Sequence, residues 1–104
     1  MSENPLRDHI HFTLSMERTV RLSNREVMNS MMEPLTEAQL ESVSVEVAKS
    51  RATYLIAALK VGADDSAPSA FELKELREDF EEKRDAFSAV MTAIERGYLD
   101  DPER

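Results

Sequence analysis

Two histidines one residue apart, His9 and His11, followed by Glu17, are the groups in this sequence best suited to chemistry. An extended HIHFT segment would set both imidazoles on one face, a common arrangement for a divalent metal, with Glu17 as a carboxylate ligand or base. A helix turns the two rings about 200° apart, and they can no longer share an ion. Asn4-Pro5 places proline at a first helical position and predicts a helix from Pro5 onward. Bundles that hold metals use several carboxylates with a Glu-x-x-His motif, and none occurs here. A metal- or ligand-binding bundle built on His9, His11 and Glu17 is therefore the alternative reading.

Other chemistries lack their parts. The sequence has no cysteine, no glycine-rich phosphate loop, no Gly-x-Ser-x-Gly and no His-Glu-x-x-His. Ser15 lies within helical reach of His11, but nothing assembles a nucleophile, a base and an oxyanion donor. No catalytic residue, enzymatic activity or cofactor is expected.

The elements that position these residues are legible from breakers and periodicity. Glycine occurs only at positions 62 and 97, leaving room for a few long elements. Met32-Glu33-Pro34 ends the first, and Thr36-Glu37-Ala38-Gln39 has the form of a capping box, with Leu35 and Leu40 as its hydrophobic staple. Residues 62–68 are a loop by composition, and Ser69-Ala70-Phe71-Glu72 is a second capping box. Gly97 stands where a helix C′ residue belongs, before a short acidic tail over 98–104.

Within these limits the spacing is helical. Leu73, Leu76, Phe80, Lys83, Phe87, Val90 and Ile94 keep an unbroken 3-4 rhythm, as do Leu40, Val43, Val47, Ser50, Tyr54, Ala57 and Val61. The first segment is looser, with Leu6, Ile10, Leu14, Val20, Val27, Met28 and Met31 on one side. The expectation is one all-α domain over residues 1–104. It is an antiparallel three-helix bundle with coiled-coil-like packing, its helices at about 5–32, 36–61 and 69–97.

Glu17, Arg21 and Asn24 interrupt the apolar arc of the first helix. Glu17 and Arg51 are equally far from Pro34, so an antiparallel hairpin would set them level, with Lys83 nearby on the third helix. Glu17, Arg21, Asn24, Arg51 and Lys83 are expected to form a polar layer that fixes register.

The net charge of −8 is uneven: residues 62–82 hold eight acids against Lys74 and Arg77. Direct nucleic-acid binding is disfavoured, whereas an acidic inhibitor or nucleic-acid mimic acting through residues 64–82 is a further alternative. The arginines at 7, 18, 21 and 25 share one side of the first helix, and pairing with the acids at 72, 75, 79 and 82 is expected. No stretch is apolar enough for a membrane span and the start lacks a leader pattern, so the expected location is the cytoplasm.

The leading expectation is a non-enzymatic interaction module, acting as a regulator, adaptor or chaperone-like protein. Its expected partner is another protein, with self-association into an oligomer also foreseen. Met28, Met31, Met32 and Leu35 at the hairpin tip are the first candidate contact surface, and Val45 and Ile56 the second.

Overall fold

The computed structural model describes residues 3–104. It contains three α-helices, α1 (Pro5–Met31), α2 (Glu37–Leu59) and α3 (Ala70–Glu95), and no strand among the described residues. The ends fall within two residues of those expected, because each is set by local chemistry. The side chain of Asn4 accepts the Arg7 N–H at 3.0 Å, and Pro5 follows it at the first helical position. Thr36 and Gln39 close a reciprocal capping box. Ser69 and Glu72 close the second. Each satisfies amides that a helix start leaves without partners.

Contacts group the chain into two compact units. One runs from Thr36 to Thr92 and contains α2 with most of α3. There the two helices pack as an antiparallel pair: Tyr54 stacks on Phe80, with ring centroids 6.3 Å apart, while Ala57 and Leu76 line one groove nearer the loop. Val47 and Ser50 are buried on α2, and the hydroxyl of Ser50 donates to the Val47 carbonyl, so no polar hydrogen is stranded. The α3 stripe from Leu73 to Ile94 is half-buried at every position. The seam is thin but continuous, as a 3-4 spacing requires.

The other unit joins residues through Leu35 to Ala93–Glu103. Here α3 ends in a Schellman motif. Gly97 has φ of 77°, its N–H bonds to the Ile94 carbonyl, and the Tyr98 N–H reaches back to Ala93 at 2.8 Å. Only a residue without Cβ takes that backbone cheaply. A Cβ there would also lie 3.2 Å from the Arg21 Cδ. The chain reverses at this point, and the segment expected as an acidic tail docks on the C-terminal half of α1. Arg25 donates to the Gly97 carbonyl at 2.9 Å and to Asp100 at 2.7 Å, and the Glu103 N–H donates to the Leu35 carbonyl.

Candidate functional site

Helix α1 contains no buried residue. From Glu3 to Ser23 every residue is exposed, and only Asn24, Arg25 and Met28 become half-buried further along. Its large apolar side chains are uncovered: Leu6 is 69 % exposed, Phe12 62 % and Leu14 59 %. A bundle helix of this length normally hides such an arc. The reason it does not lies in its own composition. Glu17, Arg21 and Asn24 break the arc, and drying a charge without a partner costs more than the adjacent Val20 or Leu14 returns.

The unit that joins α1 to Ala93–Glu103 carries an open groove of about 570 Å³ between α1 and the turn after α3. Phe12, Met16 and Val20, one helical turn apart, supply apolar surface on one wall, and Tyr98 supplies it on the other. Glu17, Arg21 and Arg96 charge its edges. None of these three makes an ion pair among the described residues. The groove thus joins an apolar floor to guanidinium and carboxylate groups that have not spent their hydrogen-bonding capacity, which suits a helix or peptide better than a reacting small molecule.

Other candidate residues fall as follows. His9 and His11 both lie on helix α1, so their rings point to opposite sides and the structure does not bring them together. No cluster of three or more potential metal ligands occurs among the described residues. Asn24 donates its side-chain amide to the Val20 carbonyl. Arg51 lies over the Phe80 ring at 5.1 Å, with Arg84 at 5.4 Å from the same ring, and Lys83 pairs with Asp79. Arg51 and Lys83, two of the three cations of the expected polar layer, therefore have partners inside the Thr36–Thr92 unit.

Of the α1 arginines, Arg25 pairs with Asp100 of the C-terminal segment, whereas Arg7, Arg18 and Arg21 have no ion pair among the described residues. Within the acidic stretch 64–82, Glu78 and Glu81 pair along α3 with Lys74 and Arg77, Asp79 pairs with Lys83, and Glu72 is in its capping box. Half of those acids are thus engaged locally.

At the C-terminal end of α1 and just beyond it, Met31 is 80 % exposed and Met32 about half so, while Met28 and Leu35 are half-buried. Val45 and Ile56 are exposed on α2. Sequence reasoning did not single out Phe12, Met16, Arg96 or Tyr98. The first two were legible as a stripe with Val20; the others depend on where the turn at Gly97 sends the chain. No helix is long and apolar enough to cross a membrane among the described residues. Comparison with protein-family models, with curated proteins and with solved structures finds no match for this chain.

Proposed function

We propose that the protein is a non-enzymatic helical interaction module that works by presenting α1 to another protein chain, as an adaptor, regulator or chaperone-like subunit does. One observation carries the reading: α1 is 27 residues long, carries large apolar side chains along its length, and buries none of them. Exposed apolar surface of this extent, interspersed with charge, is the mark of a recognition surface, and an amphipathic helix laid against an apolar surface is a recurrent way of filling one. The methionines at 31 and 32 extend that surface to the C-terminal end of the helix with side chains that adapt to a partner's shape.

The test is capture from extracts of the native host by the wild-type chain and by a Leu6→Asp/Leu14→Asp double variant. Both positions are exposed, so circular dichroism of the two proteins should match. A protein retained by the wild type and lost by the variant supports the reading. Equal retention by both places the binding surface elsewhere.

A further inference from the structure

We infer that α1 docks against α1 of a second copy of this chain, antiparallel, with Glu17 of each subunit set against Arg21 of the partner subunit. The inference rests on the reading of α1 as a docking helix and names its occupant. Leu6, Ile10, Thr13, Glu17, Val20, Asn24, Val27 and Met31 follow one another at intervals of four and three, the spacing of a coiled-coil seam. All but Asn24 are exposed. A seam of this form is built to meet another helix.

Charge selects the copy and the direction. Glu17 and Arg21 lie one turn apart on this face, both without an ion pair among the described residues. A parallel partner would stack Glu17 on Glu17 near the middle of the seam, which is repulsive. Reversing the partner about an axis near residue 19 brings unlike charges together twice, as a two-fold interface requires of a self-complementary patch. The same reversal sets Leu6 near the partner's Met31 and Ile10 near the partner's Val27, so apolar groups at one end of the helix cover those at the other.

The size is also right. Leu6, Ile10, Leu14, Val20, Val27 and Met31 are 42–80 % exposed. Together they offer on the order of 700 Å² of apolar surface, close to the ~800 Å² each partner contributes to a standard interface. Glu17 and Asn24 then act as polar seam residues that hold one register against sliding.

The experiment is sedimentation of the full chain from about 1 to 200 µM, which spans the weak, micromolar end of the affinities shown by interfaces of standard size. It is run on the wild type, on Glu17→Arg, on Arg21→Glu and on an equimolar mixture of the two variants. The wild type should dimerise, each variant alone should weaken the dimer tenfold or more, and mixing should restore it, because Arg at 17 then meets Glu at 21. A variant that failed to fold would not be rescued by mixing, and helicity measured on each variant checks this separately. Orientation is read in the cysteine-free background: Leu6→Cys mixed with Met31→Cys should form a disulfide between subunits, whereas Leu6→Cys alone should not, its two copies being about 37 Å apart at 1.5 Å per residue.

A wild type that stays monomeric throughout overturns self-docking and leaves the docking-helix reading to the capture experiment. A dimer indifferent to both charge variants, or one that crosslinks through Leu6→Cys alone, overturns the proposed surface.

Discussion

Helices α1 and α3 are nearly the same length and both are amphipathic, yet one is half-buried along a whole stripe and the other buries nothing. The difference lies in regularity. The stripe of α3 keeps its 3-4 rhythm with one charged member, Lys83, whose ammonium turns to Asp79 on its own helix. That arrangement lets the methylene stem pack while the charge stays wet. The stripe of α1 holds Glu17 and Asn24 on the seam with Arg21 beside it, so the helix cannot be dried without a partner that answers those groups. A polar interruption that ends in a local ion pair is tolerated in a seam; one left unanswered keeps the face open.

The sharpest way to break this comparison is to place the same carboxylate on both helical regions. Val47 is 6 % exposed in the α2–α3 seam, and Val47→Asp should cost about 2–4 kcal/mol, because it replaces buried apolar packing with a carboxylate that must be dried, even with Arg51 one turn away. Leu14→Asp on α1 should stay within about 0.5 kcal/mol at concentrations where the chain is monomeric. Urea titrations followed by circular dichroism read both. Similar losses would mean that α1 has a covered face in solution.

Next in size is the turn that builds the groove's second wall. Gly97→Ala forces a Cβ into a left-handed backbone and within 3.2 Å of the Arg21 stem. The expected loss is about 1–2 kcal/mol. At Gly62 an added Cβ would meet nothing within 4 Å, so alanine there should change little. Thermal melts of the two variants, side by side, separate a required glycine from an incidental one.

The Arg25 clamp comes third. Its guanidinium is about one-third exposed and Asp100 three-quarters, so the ion pair itself is worth only ~0–1 kcal/mol. The bond to the Gly97 carbonyl raises the cost of Arg25→Ala to about 1–2 kcal/mol. Asp100→Asn should cost less than Arg25→Ala, and added salt should shrink both costs while leaving the difference between them, which is the carbonyl bond, largely unchanged. If the two variants cost the same, the carbonyl bond contributes nothing.

These regions also differ in how well the sequence announced them. Capping boxes, the C′ glycine and the paired stripes of α2 and α3 are local signals, each settled within a few residues of chain. The docking of the C-terminal segment is not local: Arg25 and Asp100 stand 75 residues apart, and nothing in their spacing links them. Periodicity marked α1 as amphipathic, but periodicity reports a face and not what covers it. The charged residues were harder still. Arg51 sits within an apolar arc and reads as half of an ion pair, while its neighbour in space is an aromatic ring.

That ring offers the smallest effect and the finest test. Phe80 has Tyr54 stacked against it and the guanidiniums of Arg51 and Arg84 within 5.1 and 5.4 Å of its centroid. Its π face attracts cations, and at exposed sites each such contact is worth about 0.5–1 kcal/mol. Arg51→Met keeps the stem and removes the charge, so the loss should be of that size. Phe80→Leu keeps apolar bulk and removes the ring. In a double-mutant cycle of these two changes, read by urea denaturation, a coupling of about 0.5 kcal/mol or more is the expected result. Additive costs would mean that Arg51 contributes only its methylenes, and that the α2–α3 seam is held by its 3-4 packing alone.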